Sequence, residues 1–227
     1  MDGQVRSLRQ GQVSEDEVRG LLGRFADAYK TRATLEVLAE TDSSSYYDIF
    51  VASGDLEVAG DLDMMKEEAG VLVVDGSLTV QGAYSDYDDP ETFLLVTGDM
   101  SARDVQTAGW LEVHGNLTVG SLIGDYNDCG AWIGGDVRAR LFYGEEHHFT
   151  IGGRLMAGAV IGRPRLDIAV MPPVIELDDV LLLHHLDPEL VDTEEDDDGN
   201  IIAVGGIDFR AIKQRVAAGI PLRVTQP

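Results

Sequence analysis

A chain of 227 residues with 44% hydrophobic side chains is long enough for one domain with a sizeable core. Its 17 basic and 41 acidic residues give a net charge of −24, and the run Asp192-Thr-Glu-Glu-Asp-Asp-Asp198 supplies only six of those charges. A body this acidic excludes direct binding to nucleic acid, whose phosphates call for Lys and Arg, and suits a basic protein surface or serves solubility. One cysteine, Cys129, excludes an intrachain disulfide, and no basic stretch leading into an apolar one opens the chain. With no apolar run long enough for a membrane helix, a cytoplasmic protein without membrane contact is expected.

Residues 1–13 are polar. Ser14-Glu-Asp-Glu17 has the spacing of a capping box, and Val18, Leu21, Leu22, Phe25 and Tyr29 follow at helical intervals, predicting an amphipathic helix over 15–30. Such a helix laid over the first turn of a coil would cover its apolar end. Ala33 to Leu38 reads as a leading strand. From Ile49 to Gly162 one phrase then recurs, clearest in Leu72-Val-Val-Asp-Gly-Ser-Leu-Thr-Val80 and Leu111-Glu-Val-His-Gly-Asn-Leu-Thr-Val119. Its central glycine falls at Gly54, Gly76, Gly98, Gly115, Gly135 and Gly153, in steps of 22, 22, 17, 20 and 18 residues.

Two residues before each glycine stand Ala52, Val74, Val96, Val113, Ile133 and Ile151; two after stand Leu56, Leu78, Met100, Leu117, Val137 and Leu155. The columns four before and four after are apolar or alanine as well. Side chains alternate across a strand, so these columns stack inside a coil, with the glycine at a bend where it tolerates positive φ and close packing. A third strand per turn is expected near Val105, Leu122, Phe142 and Val160. The fold predicted is all-β: a single right-handed parallel β-helix, or solenoid, of six to eight turns with helical caps at both ends. Residues 1–40 form the N-terminal cap, 41–183 the solenoid and 184–227 an acidic loop with a C-terminal helix. Val174 to Leu183 would add one or two final strands, 192–198 reads as a solvated loop, and Asp208 caps a helix over 209–218.

The insertions between phrases hold the unusual chemistry: Ala83-Tyr-Ser-Asp-Tyr-Asp-Asp-Pro90, Gly124-Asp-Tyr-Asn-Asp-Cys129 and Tyr143-Gly-Glu-Glu-His-His148. Counted from the glycines, Asp86, Asp125 and Glu145 stand at the tenth place and Tyr87, Tyr126 and Glu146 at the eleventh, so the loops should leave one edge of the coil. Three kinds of chemistry suit that edge. Asp88, Asp125, Asp128, Glu145 and His147 are candidate metal ligands, but the calcium-loop spacing of alternate acids is missing. Carboxylates beside His147 or His148 are candidate acid–base pairs of a carbohydrate-cleaving β-helix, without the basic residues an acidic sugar calls for. Recognition is the third: tyrosines within a ring of acids suit a basic protein partner. Turn chemistry alone also favours Asp, Asn and Gly here. His184-His185 and Cys129 lack the company a metal site or a catalytic thiol needs.

Val74-Asp-Gly-Ser-Leu-Thr-Val-Gln-Gly82, Asp86-Tyr-Asp-Asp89, Leu122-Ile-Gly-Asp-Tyr-Asn127, His147-His-Phe149 and Ile151-Gly-Gly153 together resemble a group of bacterial solenoid proteins. These are labelled polymer-forming cytoskeletal for their likeness to bactofilins. The resemblance spans 71–153 and resumes at Gly206-Ile-Asp-Phe-Arg-Ala-Ile-Lys-Gln-Arg-Val-Ala-Ala-Gly219, a terminal helix that plain bactofilins lack. Members encoded beside secreted toxins imply an immunity role. The expectation is therefore a non-enzymatic, monomeric immunity protein without cofactor or metal. It would bind a cognate antibacterial toxin with a basic, nuclease-like groove through Asp86, Tyr87, Asp88, Asp125, Tyr126, Asp128, Glu145, Glu146 and His147. The alternative is a bactofilin-like scaffold that polymerises through bare coil ends, which light scattering would detect as filaments.

Overall fold

A computed structural model describes residues 5–40, 48–88, 91–125, 127–170, 187–218 and 220. The expected strands of Val174 to Leu183, together with Tyr126 and His184-His185, lie outside them. The chain is a parallel β-solenoid of about six turns. Each turn contributes to three ladders. Ladder one runs through β2 (Asp48–Ser53), β5 (Ala69–Asp75), β7 (Phe93–Val96), β9 (Trp110–Val113), β11 (Gly130–Ile133) and the later part of β12 (Val137–Val170).

Ladder two stacks β3 (Leu56–Val58) on the first halves of β6 (Leu78–Ser85), β8 (Met100–Thr107), β10 (Leu117–Gly124) and β12. Ladder three stacks β4 (Leu62–Asp63) on their second halves, setting Leu62, Tyr84, Val105, Leu122 and Phe142 in one column. The inward columns read from the sequence form the main core, with Leu72, Val74, Leu94, Val96, Leu111, Val113, Leu117, Ile133 and Val137 at 0% exposure.

Close approach is what demands glycine at the bend. Gly98, Gly115, Gly135 and Gly153 each donate their N–H to the preceding turn's glycine carbonyl, at 2.8–3.0 Å. A Cβ on Gly76 would sit 2.4 Å from the carbonyl carbon of Gly54. Only Gly54 among the six has a positive φ, of 93°. The next residue adds a second ladder that the apolar columns do not announce. Asp55 accepts from the Ser77 N–H (2.7 Å), Asp99 from Asn116 (2.7 Å), Asn116 from Asp136 (2.9 Å) and Asp136 from Arg154 (2.9 Å). Each turn thus fixes the amide of the next through a short polar side chain.

The flanks depart from expectation. Ser14 caps α1 (Glu15–Gly23) by accepting from the Glu17 N–H at 3.2 Å, while the Glu17 carboxylate meets Arg6 at 2.6 Å. A turn follows, and Ala33 to Leu38 belongs to a second helix, α2 (Tyr29–Glu40), rather than to a strand. Both helices lie along the side of the coil instead of over its end. Val18, Leu22, Phe25 and Leu35 pack on Ile49, Val51, Val73, Phe93 and Leu95, which face outward from ladder one. The unbroken apolar runs Val71-Leu-Val-Val74 and Phe93-Leu-Leu-Val96 are the pattern of strands buried on both faces. It is β1 (Val5–Ser7) that closes the first edge of ladder one, pairing antiparallel with β2.

Toward the C-terminus, Asp208 caps α3 (Phe209–Ala217) by accepting from the Ala211 N–H at 2.9 Å, and α3 packs against β6 of the second turn, along the coil rather than over its last turn as the predicted cap would. The acidic run is not all loop. Its first residues form β13 (Val191–Glu195), antiparallel to β14 (Ile201–Ile207), and Asp196 accepts from Asp198 and Asn200 in the turn between them. Among the described residues no helix is long and apolar enough to cross a membrane.

Candidate functional site

All the inserted loops leave the corner between ladders three and one. Ser85, Gln106, Ile123 and Tyr143 align just before the corner, so Ala83–Ser85 and Tyr143 are strand rather than loop. The register differs from the count by one place. Val80 pairs with Ala102 but Ala83 with Asp104, so β6 holds one extra residue around Gln81-Gly82, a β-bulge. Asp86 therefore falls level with Thr107 and Gly124, and Asp125 one step further on. A one-residue shift exchanges the faces of a strand, and here it turns Asp86 inward.

Asp86 is 0% exposed. Its carboxylate accepts from the N–H groups of Ala108 and Gly109 at 2.6 Å each, from the Thr107 hydroxyl at 2.9 Å and from the Tyr84 hydroxyl at 3.0 Å. The third turn has only Ala108-Gly109 at this corner, and the Asp86 carboxylate fills the place of the missing loop. Burial pushes its pKa up to about 6 against the pull of these donors, so it is ionised at neutral pH. Asp86 is a structural bracket and does not reach a partner.

His147 is also 0% exposed. Its Nδ1 lies 2.9 Å from the Asp125 carbonyl oxygen, which requires the proton on Nδ1, and its ring meets Phe149 edge-on at 5.0 Å. Burial depresses its pKa to about 4. A depressed folded pKa gives stability that is complete above the unfolded value near 6.5 and is lost as pH falls toward 4, about 3 kcal/mol in all. Urea titrations of the wild type and His147→Phe between pH 4 and 6.5 should show that loss diminished in the variant; parallel slopes would contradict it.

The remaining predicted residues divide. Asp88 and Asp128 are exposed, Asp125 and Glu146 partly so. Tyr87 is half-buried, with its hydroxyl 3.2 Å from Asp63. Tyr126 and the Glu145 side chain lie outside what is described. Glu146 takes a positive φ of 55° in a tight corner. Among the described residues no three of His, Cys, Asp and Glu gather as a metal site. The Cys129 thiol is buried and pushed up to about 12, first by burial and next by the Glu91 carboxylate, so it is no nucleophile at neutral pH.

Beside this edge opens a cleft of about 350 Å³ that the loop motifs did not reveal. Lys30, Trp110, Asp128, Cys129, Gly130, Trp132, His148 and Thr150 line it. Both tryptophans of the chain are here. Trp110 stands five residues before Gly115 and Trp132 three before Gly135, odd offsets that put both on the outside of ladder one. That offset was the available signal.

Glu112, 3% exposed, holds the cleft's wall in place by accepting from the Lys30 and Thr31 N–H groups at 3.0 Å each, so a coil carboxylate caps the N-terminus of α2. Lys30 Nζ lies 5.0 Å from the Trp110 ring centroid and 2.6 Å from Glu91, which also accepts from Trp110 Nε1 at 3.2 Å. No protein-family model, curated protein or solved structure matches the chain.

Proposed function

We propose that the chain is a non-enzymatic binding protein that engages a basic protein surface through its loop corner, and that it serves as an immunity protein for an antibacterial toxin. One observation carries the reading. Asp88, Glu91 and Asp128 are exposed along a single corner, with Asp125 and Glu146 partly exposed beside them. The corner segments 86–92, 125–129 and 144–148 contain no Lys or Arg, and the aromatic cleft opens next to them. Carboxylates around a partly exposed aromatic patch are the composition that recognises cationic protein surface, as a nuclease must present to hold phosphates. The sequence resemblance to toxin-linked solenoid proteins supports the same role. Cytoplasmic residence and action as a single copy complete the proposal.

Electrostatic steering of this kind speeds encounter and is screened by salt. With a basic nuclease toxin as partner, the association rate should fall at least about tenfold between 20 and 200 mM salt, and Asp88→Asn with Asp128→Asn should slow it at low salt. A rate indifferent to salt, or a toxin left fully active, would overturn the proposal. The scaffold alternative would need a bare coil end to stack on, and β1 occupies that edge of ladder one.

A further inference from the structure

We infer that the space above Gly130 is a subsite for one side-chain cation, the guanidinium of an arginine, held between Trp110, Trp132 and His148. It deepens the proposed function by naming what the corner takes from its partner. Leu111 pairs with Ala131 and Gly130 with His148, so Trp110, Gly130 and His148 follow one another across ladder one. Gly130 has no side chain at the centre of that row; a Cβ there would lie 3.1 Å from the His148 carbonyl oxygen, 3.6 Å from the His148 Cβ and 3.8 Å from the Trp110 ring. Trp132 stands on the same outward face, two residues further along the strand, its ring 4.7 Å from His114, which in turn meets Phe25 at 4.2 Å. The stack holds one indole rigid while its partly exposed ring faces the cleft.

The charge of the space selects the occupant. Asp128 lies on its rim. Among its lining residues Glu112 and Asp128 are acidic and Lys30 is the one lysine or arginine, with Glu91 2.6 Å from Lys30 Nζ. Lys30 is an internal precedent, because it already rests against an indole ring with a carboxylate as its counter-ion. A planar guanidinium repeats that arrangement with a larger stacking face, and cation–π contact with tryptophan is the strongest of its kind.

Since the only two tryptophans line the cleft, intrinsic fluorescence reports on it directly. The probes are acetyl-(Arg-Gly)4-amide and the same peptide with citrulline for arginine, titrated at low salt and followed by fluorescence and calorimetry. Saturable change with the arginine peptide and none with citrulline is expected. Trp132→Leu should weaken binding about tenfold. Asp128→Asn, at an exposed site where folding is not at stake, should weaken it about threefold. Calorimetric binding that leaves fluorescence unchanged and ignores both substitutions would overturn the subsite and leave the acidic-corner reading standing. Equal binding of the citrulline peptide, or a fluorescence response to neutral oligosaccharides, would overturn the choice of occupant. No binding of the arginine peptide at low salt would overturn the subsite, while the proposed function stands or falls on the salt dependence of toxin association.

Discussion

Replacing Asp86 with alanine should lower the free energy of unfolding by about 3–5 kcal/mol, the largest loss expected from any single loop residue. Four donors converge on its carboxylate, and two of them are backbone amides at 2.6 Å in the shortest turn of the coil. Alanine leaves those donors buried in a corner that is closed to solvent. Asparagine keeps one oxygen for the Ala108 and Gly109 amides and offers N–H groups to hydroxyls that can accept, so Asp86→Asn should cost only about 1–2 kcal/mol. Equal losses for alanine and asparagine in urea denaturation would show that the bracket is not what matters.

The pH dependence of the asparagine variant provides a second check. The folded pKa of Asp86 is raised, so its contribution is complete below about pH 4 and is lost as pH rises through about 6. His147 acts with the opposite sign over nearly the same window. The two partly offset each other in the wild type, and Asp86→Asn should therefore lose stability more steeply on acidification than its parent.

Gly115→Ala should cost about 3 kcal/mol, and Gly54→Ala about 1–2 kcal/mol, although both glycines occupy the same place in the phrase. At Gly115 the new Cβ would meet Gly98 backbone atoms at 2.7 Å and Asp99 Oδ1 at 2.3 Å. Backbone cannot retreat without parting two turns, and the displaced Asp99 carboxylate would release the Asn116 amide it holds. At Gly54 nothing lies within 4 Å, and the penalty is only that of a left-handed conformation at φ 93°. Chemical denaturation of the two variants separates the causes. If they lose stability equally, close stacking is not the reason for the repeated glycine.

The interior of the coil was legible because alternation and the glycine mark the same positions turn after turn. Val74, Val96, Val113 and Ile133 could be placed inside from spacing alone. Three features were not legible, each for a physical reason. The bulge at Gln81-Gly82 leaves no trace in a count from Gly76, and it alone decides that Asp86 is buried. Ala33-Thr-Leu-Glu-Val-Leu38 alternates like a strand, but Glu112, 81 residues away from Thr31, caps it as a helix. The aromatic cleft joins Lys30 of α2 to tryptophans of two turns, a tertiary meeting no local motif announces. The outward apolar residues Val73, Phe93 and Leu95 did carry a signal, since a strand apolar at every position has no side left for solvent.

The antiparallel pairing of Val5 with Ala52 and Ser7 with Phe50 has a consequence for symmetry. The other described strand pairs of the coil are parallel and repeat by a translation along its axis, the operation that generates an endless fibre. One reversed strand at the first edge breaks that operation. A second chain arriving head to tail would pair antiparallel with β1 and so would not continue the parallel repeat, whereas two chains meeting β1 to β1 are related by a twofold rotation. A pair joined β1 to β1 along ladder one is closed by that rotation and uses up the first edge of both chains.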